Sequence, residues 1–253
     1  MGRYLAHDVI VHFILFQSIL LLVVVSNLVM LRKARRGKQP PNLPFVSVLV
    51  PARNEEKNIA RLVNSLSAQD YSNFELLVLD DESTDATPAI LDSLAKSKPG
   101  LRVLHGAPAV GRLKGKNWAC AQLASQAAGE VLFFTDADTV YAPNALRELM
   151  ACLQRENADF LTGFPRQLLG SCGEKLLVPF FSWASLCLIS FWLSYRLHWK
   201  ALAVGIGQVM IFRREAYEKI GGHAGLQDEI VDDRALAQKV IAAGLRWRAV
   251  HLS

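Results

Sequence analysis

Val131-Leu-Phe-Phe-Thr-Asp-Ala-Asp138 is the stretch on which the reading of this chain turns. Four apolar residues and a threonine run straight into two carboxylates separated by one alanine. In a buried parallel strand such an apolar run supplies the core. The carboxyl end of the strand is where open α/β sheets place their ligands. Alternation there lets Asp136 and Asp138 approach one site. Two hard oxygen donors at a strand end suit Mg²⁺ or Mn²⁺, which also draws on phosphate oxygens. Acidic pairs occur in ordinary solvated loops too, so this one acquires meaning only from its surroundings.

The surroundings begin with size and composition. A chain of 253 residues suits one large α/β domain with appendages. It is 51% hydrophobic, with a mean hydropathy of +0.21, high for a purely soluble protein. Cys120, Cys152, Cys172 and Cys187 have neither C-x-x-C spacing nor a compact framework, and read as reduced, buried thiols. No cysteine and histidine cluster has the spacing of a zinc site.

After a short flank (residues 1–8), residues 9–31 are apolar apart from His12, Gln17, Ser18, Ser26 and Asn27. As a helix this is about 34 Å long, enough to cross a bilayer's hydrocarbon core. Its length favours a retained transmembrane anchor over a cleaved signal or a buried core helix. Arg32-Lys-Ala-Arg-Arg-Gly-Lys38 follows directly, whereas the amino-terminal flank offers only Arg3. The positive-inside rule then places the rest of the chain in the cytoplasm. Beside a membrane helix the basic run reads as topology and anionic-lipid contact rather than as a nucleic-acid site. Residues 32–44 form a basic, proline-containing linker.

Residues 45–253 read as one catalytic domain. Strands are expected at 45–50 (stopped by Pro51), 74–79, 101–104 and from Val131, with helices at 57–68, 87–95 and 117–128 between them. This alternation indicates a mostly parallel, doubly wound sheet flanked by helices. Arg53-Asn54-Glu55, Asp80-Asp81 and Asp136-Ala-Asp138 each follow a strand, which puts them along one sheet edge. Carboxylates gathered without a cation repel one another, so a metal or cationic partner is implied. A nucleoside diphosphate with its metal meets that requirement, and Lys114 and Lys116 add positive charge for its phosphates.

Pro51-Ala-Arg-Asn-Glu-Glu56, Asp80-Asp-x-Ser-x-Asp85, Asp136-Ala-Asp138 and Asp232-Asp233-x-x-Leu236 together resemble the family 2 glycosyltransferases, whose fold is the GT-A fold. Gly115-Lys-Asn-Trp-Ala119 and Gly207-Gln208 are further similar to the membrane-bound branch acting on hopanoid, carotenoid or ceramide-like lipids. The resemblance implies that Pro51, Arg53 and Glu55 border the nucleotide and that Asp81 contacts uracil. It implies that Asp138 ligates the metal, with Asp136 near ribose and metal, and that Asp233 is the catalytic base. The family usually has Glu before that base, where this chain has Asp232. An acidic pair stabilising a helix N-terminus is the bland alternative for Asp233.

Residues 176–199 form a second apolar segment holding Trp183, Trp192 and Trp199. A single crossing here would put Asp138 and Asp233 on opposite sides of the membrane. An interfacial or shallow re-entrant element that delivers a lipid acceptor fits better, a buried core helix being the alternative. Further on, residues 209–212 read as a strand and Gly221-Gly222-His223 as a turn, its histidine either structural or reaching the diphosphate. Many membrane relatives continue with a Gln-x-x-Arg-Trp element and more membrane helices. Neither precedes Ser253, so a truncated carboxyl terminus is expected and processive polymer synthesis is not.

The expectation is a membrane-anchored, metal-dependent, inverting glycosyltransferase at the inner membrane's cytoplasmic face, moving sugar from a UDP-sugar to a lipid hydroxyl. The alternatives are transfer to a polyprenyl phosphate and a non-catalytic nucleotide-sugar-binding fragment.

Overall fold

A computed structural model describes residues 2–35, 44–109, 114–167, 171–226 and 232–251. The linker at 36–43 and the part of the glycine–lysine loop at 110–113 lie outside the described residues, as do the side chains of the basic run from residue 32 onward and Ser253.

The chain opens with helix α1 (Gly2–Arg35), whose stretch Asp8–Leu31 has a mean hydropathy of 2.6 and the length to cross a bilayer. Four parallel strands follow in βα alternation: β1 (Val46–Ala52), α2 (Ile59–Ser67), β2 (Phe74–Asp80), α3 (Thr87–Ser97), β3 (Leu101–His105), α4 (Gly115–Gln126) and β4 (Val131–Phe134). Next come α5 (Ala145–Arg155), β5 (Phe160–Phe164), α6 (Cys172–Leu188), α7 (Phe191–Leu197), β6 (Met210–Arg213), α8 (Arg214–Lys219), α9 (Asp232–Ala242) and β7 (Trp247–His251). The sheet order is β3-β2-β1-β4-β6-β5-β7, and only β6 runs against its neighbours.

Both faces of the sheet are covered, as near-continuous apolar strands require. Val48 and Val50 of β1 meet α2, α3 and α5 through Ile59, Leu91 and Leu149. Leu49, pointing the other way, joins α4, α9 and α7 through Leu123, Leu236 and Phe191. The last turns of α1 enter that second core. Leu31 is buried, and half-buried Leu20, Val23, Val24 and Met30 complete a stripe at helical spacing. By contrast Val9, Phe13, Phe16 and the other large apolar residues of the first half are exposed.

Strand β1 does not stop before Pro51, as the sequence suggested, but carries it in register with Leu79. A proline is tolerated where no ladder partner is waiting for its missing N–H. The carbonyl of Ala52 accepts from Asp81 N on the β2 side, whereas that of Leu49 accepts from Thr135 N on the β4 side. Pro51, two residues from Leu49, faces the β4 side just beyond the point where that ladder ends.

The antiparallel strand follows from where the chain has been. β5 delivers the chain to the carboxyl edge of the sheet, and α6, α7 and residues 198–209 remain there. β6 therefore enters from that edge, with Met210 opposite Phe134. The apolar segment expected at 176–199 is two helices bent by 50°. Leu176, Phe180, Trp183, Leu188 and Trp192 are exposed on them, as is Trp199 just beyond α7, while Cys187, Phe191 and Ser194 face inward. The segment is thus neither a simple core helix nor one straight span.

Candidate active site

A cleft of about 350 Å³ opens at the carboxyl ends of β1, β2 and β4. Its lining includes Pro51, Arg53, Glu55, Asp81, Lys116, Asp136 and Asp138. Seven residues singled out from four separate stretches of sequence thus converge on one hollow.

The turn after β4 sets the aim of its acids. Thr139 donates through N and Oγ1 to the carbonyl of Asp136, tightening the turn to one residue between the carboxylates. Ala137 points into the core, which leaves Asp136 and Asp138 facing out. Thr135 Oγ1 and Tyr141 Oη lie 2.7 Å apart, and Tyr141 Oη donates to Gln208 O at 2.9 Å, tying this turn to the segment before β6.

The loops after β1 and β2 brace each other. Asn54, in the left-handed region at φ 56°, donates its N–H to Ser83 Oγ and accepts from Thr84 N through Oδ1. Glu56 N donates to Asp85 Oδ2, Ala86 N to Glu56 Oε2 and Thr87 N to Asp85 Oδ1. Asp85 is therefore a brace at the start of α3, whereas Asp81 lines the cleft. Burial pushes the Asp81 carboxyl above its ordinary value, with Glu82 and Asp80 adding to the effect and Arg53, 3.7 Å away, opposing it.

Lys116 lies in the first turn of α4 behind Gly115, whose φ of 56° glycine tolerates. Its ammonium is 2.5 Å from Asp136 Oδ1. Burial works against the ammonium, but Asp136, reinforced by Asp232, outweighs it and holds Lys116 above the ordinary lysine range. Lys114 is exposed on the other side of Gly115.

Asp233 stands at the start of α9. A β-carbon on Gly207 would lie 3.3 Å from Lys116 Nζ, 3.6 Å from Asp136 Oδ2 and 3.9 Å from Asp233 Oδ2. Three charged groups thus face one glycine. Burial raises the Asp233 carboxyl above its ordinary value; Asp232 adds to this, while N–H groups of Arg234 and Gly207 and the charge of Lys116 oppose it. Gly205 packs so closely that a β-carbon there would come within 2.1 Å of Asp233 O.

His223 is fully buried, its Nδ1 2.8 Å from Tyr217 Oη and its ring stacked obliquely on Phe134. Burial, with Lys116 nearby, takes its pKa down to about 3, so it is a neutral core residue at physiological pH. Cys120, Cys152 and Cys187 are free and buried, as expected of reduced thiols.

No three His, Cys, Asp or Glu side chains converge as a metal cage among the described residues. A Mg²⁺-type ion needs only one or two carboxylates when substrate phosphates complete its octahedron. Asp138 with Asp136 fits an ion that arrives with a diphosphate, and does not fit one held by protein alone.

Sequence reasoning missed Gly205 as a packing contact, Tyr141 as a tie to the β6 segment, and the part played by Asn27, described below. A carboxamide in an apolar helix, Asn27 being one of two beside Gln17, was the one available signal.

A family model described as Glycosyl transferase family 2 matches residues 47–221. The chain belongs to that family, and its sheet and flanking helices are GT-A-like. Over 199 residues it is 34% identical to the beta-monoglucosyldiacylglycerol synthase of Nostoc sp. (strain PCC 7120), covering 76% of this chain and 40% of that protein. It is 30% identical over 119 residues to the Escherichia coli UDP-Glc:alpha-D-GlcNAc-diphosphoundecaprenol beta-1,3-glucosyltransferase WfgD, covering 47% of this chain and 45% of that one. The chain thus spans less than half the length of these curated relatives.

Among solved structures, the fold is similar to mannosyltransferase PcManGT from Pyrobaculum calidifontis in complex with GDP-Man and Mn²⁺. The TM-score is 0.64 at 22% identity, over 93% of this chain and 66% of that one. S. aureus TarS 1-349 in complex with UDP-GlcNAc gives 0.57 at 21% identity, over 81% and 55%.

Proposed function

We propose that this protein transfers a sugar from a nucleoside diphosphate sugar, UDP-linked on the resemblance of Asp81 and its neighbours, to the hydroxyl of a membrane lipid. The observation that carries the reading is the convergence of Lys116, Asp136 and Asp233 on Gly207, at the end of the cleft lined by Pro51, Arg53, Glu55 and Asp81. Nucleoside and diphosphate occupy the cleft. Asp81 and Arg53 meet the base, and Lys116 with the amino end of α4 faces the phosphates. Asp136 and Asp138 would hold a Mg²⁺ or Mn²⁺ ion, which when bound supplies neutralisation of the departing diphosphate.

Asp233 accepts the proton of the acceptor hydroxyl as its oxygen forms the new bond to the anomeric carbon. The bond from that carbon to the nucleoside diphosphate breaks on the opposite side, so the configuration inverts. The lipid identity of the acceptor is supported by the diacylglycerol-derived product named for the Nostoc relative and by the exposed tryptophans of α6 and α7. Asp8–Leu31 serves as the span, with the domain on the cytoplasmic face of the inner membrane.

The test is a screen of radiolabelled UDP-sugars against native membrane lipid with and without Mn²⁺. Sugar should enter the lipid fraction only with the cation, and Asp138→Ala should lower incorporation about a hundredfold. Incorporation that ignores Mn²⁺ and survives that substitution overturns the reading. Donor binding without turnover or hydrolysis would instead favour a non-catalytic nucleotide-sugar binder.

A further inference from the structure

Asn27 is fully buried, although it sits in the helix with the length and composition of a membrane span. Its carboxamide is spent entirely on the break between α6 and α7. Nδ2 donates to Leu186 O at 2.8 Å and to Ile189 O at 2.7 Å, and Oδ1 accepts from Phe191 N at 3.0 Å. These are groups that a helix end and a helix start leave without partners. Both amide hydrogens and the oxygen are matched across more than 150 residues of sequence, with nothing left over for solvent.

The contacts continue from there toward the cleft. Ser194, buried on α7, donates through Oγ to Leu202 O at 3.1 Å. Ala203 and Val204 then sink into the core that also receives Leu31. Ile206 N is held by Thr162 Oγ1 at 3.0 Å. Gly205, between these anchors, packs on the backbone of Asp233, and Gly207 faces its carboxylate.

We propose that Asn27 is a positioning residue for the transfer reaction. By closing the α6–α7 break it fixes α7 and residues 198–208, and through Gly205 and Gly207 it sets the acceptor face of the cleft relative to the membrane helix. The helix is then a working part of the active site and not only a tether. The donor face, built on β1, β2 and β4, meets this link only at its far end, where Tyr141 Oη donates to Gln208 O and Gly207 faces Lys116 and Asp136. The inference rests on the reading of the Asp233 side as the acceptor side.

The experiment uses the full chain in detergent micelles, comparing wild type with Asn27→Leu and with Ser194→Ala, which removes the next link without touching α1. Ser18→Ala is the control, since among the described residues its Oγ donates to Ile14 O on the exposed face of the same helix. In Asn27→Leu, amide exchange in 189–208 should quicken at least about tenfold, while peptides from β1 and β2 stay unchanged. Transfer to lipid should fall about tenfold or more with UDP–Mn²⁺ affinity unaltered. Ser194→Ala should show the same split, smaller.

Unchanged exchange in 189–208, or a rise spread evenly through β1 and β2, overturns the proposal. So does a loss of transfer matched by an equal loss of UDP binding. If the wild-type chain transfers no sugar at all, the exchange measurement still decides the clamp, and the functional reading is what has failed.

Discussion

The two sides of the cleft are built differently. The side assigned to the donor rests on three neighbouring parallel strands and on braces between loops about thirty residues apart, such as Asn54 with Thr84 and Glu56 with Asp85. The side assigned to the acceptor is assembled from residues 27, 162, 186–191, 205–207 and 233, which meet only in the folded chain. The first is a set of acids and cations with recognisable spacing. The second depends on two glycines and a carboxamide. The side assigned to the donor thus shows in the sequence as several spaced motifs, whereas the side assigned to the acceptor shows only Asp232-Asp233-x-x-Leu236 and Gly207-Gln208, without the contacts that bring them together.

The largest effect separating the two sides should come from Asp233→Asn. Loss of a general base predicts a fall in kcat of about 10³, with UDP affinity retained. Near-full activity would mean an acceptor that is already anionic, as a polyprenyl phosphate is. Next is Asp138→Ala on the donor side: a fall of about 10² in kcat/KM, and UDP binding that no longer responds to Mn²⁺ in calorimetry.

Gly205→Ala tests whether Asp233 is placed by packing. Its β-carbon would strike the Asp233 carbonyl, so either the helix start or residues 203–207 must shift. A displacement near 1 Å is expected to lower kcat by 10- to 100-fold with little change in donor KM. A proportional rise in donor KM would show that the two sides are not independent.

Two pH effects sharpen the contrast. A base must be ionised, and burial has raised Asp233, so the acid limb of kcat/KM should lie above an ordinary carboxylate's and vanish from the residual activity of Asp233→Asn. His223 works through stability. Its folded pKa of about 3 lies below the 6.5 expected unfolded, so the stability it contributes is present above pH 6.5. That stability is lost progressively as pH falls toward 3, and His223→Gln should flatten the fall in melting temperature over that window. The smallest effect belongs to Arg53→Ala. Its long, 3.7 Å pair with the buried Asp81, the guanidinium itself being exposed, contributes about 1 kcal/mol, a few-fold in donor KM.

Much of the donor side could be read in advance. β2, α3 and β3 lie within a residue or two of where apolar periodicity places them, because strands buried on both faces are continuous apolar runs. Pro51 misled, since a proline halts a strand only where a partner awaits its N–H. Composition marks 176–199 as apolar, unsuited to one crossing and suited to an interfacial or re-entrant element, but it does not give the place of the bend, where a side chain far away in sequence binds.

By itself the sequence determined a helix long enough for a membrane, an alternation of strands and helices, and acids at the strand ends. All three are short-range, being periodicity, length and composition. Only the tertiary structure decided that β6 enters the sheet backwards, so that Gly207 and Asp233 stand beside Lys116 and Asp136, and that Asn27 closes a break 160 residues away. Strand direction and partner choice are set by where the rest of the chain already lies, and a glycine or a single asparagine carries no record of that in its neighbours.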